Sequence, residues 1–415
     1  MLDSCAMRIK IGIFVFVLQV LLGNASTSFP QTHWVASWAT SPQLAENENA
    51  LKTNELREGT LRQIVHLSIG GAQLRVHLSN RYGAEPLHFT AVHVAKAVAA
   101  GSAKIVAGAD KELQFSGKAD VIVPAGTDYI SDPLDFPAAA LSDLAITLRV
   151  DSGATQQTGH PGSRATSFLA IGNVIAAEDL PDAKKVQRWY FVAGLDVAAP
   201  ADAFAIVALG DSITDGHGAT TDGNDRWPDI FAKRLQASAA TRRIGVVNEG
   251  IGGNGLLLDG IAANALARFD HDVLAQGGAR YVIVLEGIND LGMLTHEKEA
   301  SEAEHEAEVR HVIGAYEQII ARAHAQGIKV IGATILPFVG SSFYHPNAKN
   351  EADRRAVNEW IRKHFDGVID FDKLVRDPEH TEMMLPAYDS GDHLHPSPAG
   401  YAAMAESIPF SLFAF

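Results

Sequence analysis

Cysteine is almost missing from this chain: Cys5 is the single copy in 415 residues. That count excludes a disulfide framework, a cysteine nucleophile and cysteine-ligated zinc for everything that follows Cys5. Basic residues are also scarce, with 34 Lys and Arg against 49 Asp and Glu, for a formal net charge of -15. Such a chain repels phosphate backbones and anionic lipid surfaces, so nucleic acid is not an expected partner. The apolar run at residues 11–22 is shorter than the roughly 20 residues that span a bilayer. Internal repeats, low-complexity tracts and a long Ser, Thr, Pro or Gly linker are absent too, which argues against a solenoid and against freely jointed modules.

What is present is a globular composition, 47% hydrophobic and 20% charged, over a length too great for one typical core, so two domains are expected. Residues 1–26 carry Arg8 and Lys10, the apolar run broken only by Gly12 and Gln19, and then Gly23, Ala25 and Ser26. This is the layout of a secretory signal peptide. Cleavage near Ala25 or Ser26 would leave a secreted or periplasmic protein with no membrane anchor and no cysteine. Cys5 precedes the apolar core and is not placed for lipid attachment.

Residues 30–196 show short runs with β-branched residues and alternation, such as 74–78, 120–123 and 144–150, and no helical periodicity. They predict an all-β sandwich or jelly-roll-like domain. Ile69-Gly70-Gly71-Ala72 reads as a hairpin turn. Trp34 and Trp38 read as core residues, and Arg57, Arg62 and Arg75 as solvated cations, in preference to a sugar-binding face. The composition shifts at 195–202, and residues 200–415 then alternate. Strands are expected at 204–209, 245–248, 281–285, 329–335 and 367–370, and helices at 226–236, 299–326, 350–363 and from 398. That order implies an α/β domain with a parallel sheet and helices on both faces. Glu302, Glu304, Glu306 and Glu308 read as a solvated helix face. The glycine-rich stretch 250–255 lacks the register of a dinucleotide loop.

The apolar run 204–209 stops at Gly210 and delivers Asp211 and Ser212 onto a turn at a strand's carboxyl end, where open α/β sheets bind ligands. Ser212 is the candidate nucleophile. A serine hydroxyl needs a base to take its proton, and the base needs a carboxylate to fix its tautomer. Asp392-His393-Leu394-His395 offers both, because an Asp three residues before a His can fold back onto its Nδ1, leaving His395 Nε2 for Ser212. A rival reading makes His393 and His395 metal ligands with Asp392 as a third, but no further cluster with ligand spacing is apparent. Acyl transfer also needs donors aimed at an oxyanion. The N–H of Ser212, a glycine N–H in the loop 248–254 and the amide of Asn289 in the loop 286–290 are candidates.

These blocks, in this order, resemble the SGNH hydrolases, also called the GDSL esterases and lipases, over roughly residue 204 to the C-terminus. Gly210-Asp211-Ser212-Ile213 is similar to the first block, with Ile213 where the family often has Leu. Asn248 to Gly253 looks like the second, Gly287-Ile288-Asn289-Asp290 like the third, and Asp392 with His395 like the last. The resemblance implies a flavodoxin-like three-layer α/β/α sandwich with no metal or organic cofactor. It also implies a Ser212, His395, Asp392 triad, with an oxyanion hole of Ser212, Gly253 and Asn289. The nucleophile elbow of α/β-hydrolases is not matched, since Thr214 stands where that motif needs glycine. The N-terminal half is similar, less specifically, to the β-rich region that precedes this domain in some secreted bacterial esterases of plant polysaccharides. The expected function is therefore a secreted serine esterase that removes short acyl groups, acetyl foremost, from a small ester or acylated carbohydrate. A lipase or arylesterase of broad specificity is the nearest alternative. A non-catalytic carbohydrate-binding protein on the same fold is a third, although a binding module has no use for a serine and base pair.

Overall fold

The segment Phe204–Gly210 is apolar and buried along its whole length, as a strand flanked on both edges and covered on both faces must be. In the computed structural model, which describes residues 32–413 apart from 152 and 261, it lies inside a five-stranded sheet. The order is Ile244–Gly250, Phe204–Gly210, Ala279–Leu285, Lys329–Ala333, Gly367–Ile369, and every pairing is parallel. This is the flavodoxin-like 2-1-3-4-5 order, in which ligands gather beyond the carboxyl ends where the strand order reverses.

The helices follow local signals. Trp227–Gln236 carries Pro228 in its first turn, where a missing N–H costs nothing. Glu302–Ala325 starts from a Ser301 and Glu304 capping box, and Pro398–Ser407 starts from Ser397, whose side chain accepts from Gly400 N. Ala348–His364 also falls where the periodicity put it. Four helical segments were not expected: Ser212–Asp215, Ile288–His296, Phe371–Val375, and Ala265–Phe269 continuing into the π turn Asp270–Leu274.

The region before the parallel sheet is antiparallel and β-rich, in sheets of five, seven and three strands. It departs from the sequence reading at three points. A short helix, Thr53–Glu58, appears where none was expected. The Gly70-Gly71 turn closes no hairpin, because Gly59–His66 belongs to the seven-stranded sheet and Gly71–Ser79 to the five-stranded one. A Cβ on Gly70 would lie 2.5 Å from Ala138 O, and one on Gly71 2.6 Å from Ala198 O. The glycines thus serve the close approach of a chain crossing between sheets. The third point is the arginines: Arg75 is half-buried and paired with Asp196 at 2.8 Å, and Arg62 is buried rather than solvated. It donates to Thr147 Oγ1 and to the carbonyls of Ala103 and Ala177, tying loops to the sheet. Trp38 is a core residue, edge-on to Trp189 at 4.9 Å.

A contiguous apolar core includes Val35, Ile69 and Leu195 together with Phe204, Val246 and Ile283, so residues from both regions share it. Polar links cross the same contact: Ala36 N donates to Gly277 O at 2.9 Å and Val246 N to Ser68 Oγ at 3.0 Å. Residues from His33 onward pack as one compact unit. The expected leader and Cys5 lie outside the described residues. Among the described residues no helix is long and apolar enough to cross a membrane.

Candidate active site

Ser212 opens a one-turn helix, Ser212–Asp215, directly after the first strand of the parallel sheet. Asp211 caps that turn, its Oδ1 accepting from Ile213 N at 2.8 Å. Ser212 Oγ lies 2.8 Å from His395 Nε2, and His395 Nδ1 lies 2.6 Å from Asp392 Oδ2. The chain folds back as the three-residue spacing requires: Asp392 Oδ1 accepts from the N–H of His395 at 2.8 Å and of Leu394 at 3.0 Å. Partial burial acts to raise the Asp392 carboxyl. The hydrogen bonds from His395 and from these backbone N–H groups outweigh it, and hold the group far below the usual carboxylate range. An ionised Asp392 is what an imidazole needs in order to keep its Nδ1 proton and carry charge transiently.

Ser212, Gly253, Asn289 and His395 line one pocket of about 370 Å³, with Phe343 and Tyr344 on its wall. Gly253 has φ of 71°, a conformation that side chains resist. Asn289 sits in the first turn of Ile288–His296. Its Nδ2 donates to Asn254 O at 2.5 Å, which leaves the second N–H of that amide for a ligand. The Tyr344 hydroxyl donates to Asn289 Oδ1, so the amide has one orientation. Burial pushes the Tyr344 hydroxyl up, and it remains a donor. Tyr344 is absent from the sequence reading, being 55 residues from Asn289 in a loop without a motif. If Asn289 serves as an oxyanion donor, Asn289→Ala lowers kcat by about 10² to 10³ with little change in KM, and Tyr344→Phe by about tenfold, because one deletes that amide and the other frees it to rotate. Steady-state rates on a short aryl ester check both; a pure KM effect in Asn289→Ala contradicts the donor role.

Beneath the serine lies a cation the sequence reading also lacks. Arg268 is buried and donates to Gly210 O at 3.0 Å and Glu249 O at 2.7 Å, the ends of two sheet strands. It also donates to Asn254 Oδ1 at 2.8 Å, Asp272 Oδ2 at 2.9 Å and Glu286 Oε1 at 3.3 Å. One guanidinium thereby fixes the loops that present Ser212, Gly253 and Asn289. A signal for it existed, since Arg268 and Asp272 are spaced one helical turn apart.

The acids around it outnumber it. Burial, then the charges of Asp290 and Asp215, push Asp211 up to about 7 against its hydrogen bond and Arg268. Burial likewise raises Glu249 and Glu286 well above the ordinary range. A carboxyl whose folded pKa is raised favours folding when protonated. Its contribution is complete below the unfolded value near 3.8 and lost as pH climbs through about 7. The melting temperature is therefore expected to fall between pH 5 and pH 8, and Asp211→Asn, which keeps the acceptor for Ile213 N, to flatten part of that fall. A melting temperature that rises over the same interval contradicts this assignment.

His217 packs against His395, ring centroids 4.0 Å apart and planes tilted by 36°, with Arg164 Nη2 3.3 Å from its Nδ1. Burial, then the charges of His395 and Arg164, lower its pKa, so it forms a neutral wall. His393 does not join His395 as a ligand pair; its Nδ1 lies 2.7 Å from Asp389 Oδ2. Among the described residues the group close enough to share an ion is His217, Asp392 and His395, two of which already belong to the relay to Ser212.

A doubly wound sheet with a serine, an imidazole and a carboxylate in hydrogen-bond sequence at its carboxyl edge has the layout of an acyl hydrolase. Residues 208–403 match the GDSL-like Lipase/Acylhydrolase family, and this part of the chain is a GDSL-like lipase/acylhydrolase domain. Among solved structures, a GDSL-like lipase from Bacteroides thetaiotaomicron is 20% identical over 50% of this chain and 87% of its own, with a TM-score of 0.38. A catalytic mutant of an acetylxylan esterase from Geobacillus stearothermophilus is 21% identical over 49% of this chain and 91% of its own, also at 0.38. No curated protein matches the chain.

Proposed function

We propose that the protein is a serine esterase, exported from the cytosol, that hydrolyses short acyl esters, acetyl foremost, carried by a saccharide. The unbroken hydrogen-bond chain Ser212, His395, Asp392 opening onto the pocket of about 370 Å³ is the observation that carries this reading. Ser212 Oγ attacks the acyl carbonyl while His395 Nε2 takes its proton and Asp392 holds the ring. The oxyanion is met by the N–H groups of Ser212 and Gly253 and by Asn289 Nδ2. His395 then returns the proton to the departing alcohol, and a water deprotonated by His395 releases the acid.

The test is a series of nitrophenyl esters from acetate to decanoate, followed by acetylated and feruloylated oligosaccharides. kcat/KM should be greatest at two to four carbons, and a chelator should leave it unchanged. Greatest turnover on decanoate would favour a lipase instead, and loss with chelator that a divalent ion restores would move the chemistry to a metal at His217, Asp392 and His395.

We also read residues 30–196 and 200–415 as permanently docked partners. The buried pair of His160 Nε2 and Asp215 Oδ1 at 2.9 Å and the bond from Ser41 Oγ to Glu249 Oε2 at 2.7 Å support this. A chain begun at Ala199 should be insoluble or melt far below the parent, because the apolar face under Val246 would meet water. A soluble fragment with the parent's melting temperature would make the first region an independent appendage.

A further inference from the structure

The antiparallel region holds a second cavity, of about 580 Å³, whose lining includes Arg164, Lys184, Lys185 and Arg188 and a single carboxylate, Glu48. Four cations on one wall are unexpected in a chain of net charge -15. Lys184 is paired with Glu55 at 2.8 Å. Arg164, Lys185 and Arg188 make no ion pair with any carboxylate among the described residues, although Arg188 Nε donates to Asn49 Oδ1 at 2.7 Å. Arg164 Nε is buried with no acceptor. The backbone at Arg164 is held at φ of 47° while its carbonyl accepts from Asp222 N at 2.8 Å, so the side chain is aimed by a fixed and strained loop.

That aim has a consequence. Arg164 lines this cavity, and its Nη2 also lies 3.3 Å from His217 Nδ1; His217 in turn lines the pocket of Ser212. The contact between Arg164 and His217 thus links the linings of the two cavities. A molecule long enough to fill both would place an anion among the cations and an ester at the serine. Cations left without carboxylate partners fit carboxylate groups, which arginine meets with paired N–H donors.

We propose that this cavity is a substrate subsite for a carboxylate-bearing sugar, a uronic acid unit of the same saccharide chain whose acyl group is presented to Ser212. The inference rests on the esterase reading for its substrate, but its test reads binding separately from turnover. The cavity also concentrates the chain's scarce positive charge, which draws a polyanion past the acidic surface elsewhere and makes binding fall with salt.

The experiment is calorimetric titration of the full chain with tetragalacturonic acid, with neutral xylotetraose and with sulfated dextran oligomers, at low and at physiological salt. Tetragalacturonic acid should bind at least about tenfold more tightly than xylotetraose and weaken at the higher salt. Lys185→Glu, at an exposed position without a partner to lose, should weaken it about tenfold, and Arg188→Gln by a similar factor. Neither variant should alter hydrolysis of nitrophenyl acetate. Equal binding of the neutral sugar, tighter binding of sulfated dextran, no binding of tetragalacturonic acid, or an unchanged affinity in Lys185→Glu would each overturn the subsite. Intact binding without ester turnover by the parent protein would instead sink the esterase reading and leave the subsite standing.

Discussion

Ser212→Ala is expected to lower kcat on short esters by about 10⁶, to near the level left by oxyanion donors and binding alone. The size follows from what the substitution deletes: the oxygen proposed to bond the acyl carbon, 2.8 Å from His395 Nε2. Stability should hardly change, since a single oxygen at the edge of a pocket is removed and no buried group other than His395 loses a partner. Thermal melting and rates measured on the same sample check both halves. If a variant that folds like the parent keeps a tenth of its activity, another nucleophile is at work.

The second large effect is expected at Arg268. Arg268→Met should lower unfolding free energy by about 3 to 5 kcal/mol, the range for removing one partner of a buried charge cluster. The loss is not confined to one pair. Gly210 O, Glu249 O, Asp272 and Glu286 all surrender a donor together, inside a core where water cannot replace it. Arg268→Lys should recover little, because three N–H bonds on one nitrogen cannot reach acceptors spread around a planar fork. Urea unfolding of the parent and both variants measures this. An unchanged midpoint in Arg268→Met would show that the strand ends are held by something else.

The contrast between these two residues shows where the sequence was legible. Ser212, Asn289 and His395 announce themselves because each follows a strand or a chain reversal within a few residues, and the spacing of Asp392 and His395 is itself the geometry of their bond. The parallel sheet could be read for the same reason: buried strands such as Phe204–Gly210 are apolar without interruption. Arg268 and Tyr344 act across long stretches of chain, on partners that nothing nearby in sequence identifies. Two acids at strand ends, Glu249 and Glu286, were visible, yet a glutamate inside an apolar run signals a buried cation without naming it. The Gly70-Gly71 misreading has the same root. Local turn chemistry does not say whether the next strand pairs with the last or crosses to another sheet, and here the carbonyls of Ala138 and Ala198 decide it.

The central claim, that Ser212 is the group that forms the acyl-enzyme, is tested most directly by mass spectrometry after exposure to an organophosphonate such as a fluorophosphonate. One adduct per chain, mapped by peptide digestion to Ser212 and abolished in both Ser212→Ala and His395→Ala, is the expected result. An adduct on any other residue, or none on a protein that is hydrolysing esters, would contradict it.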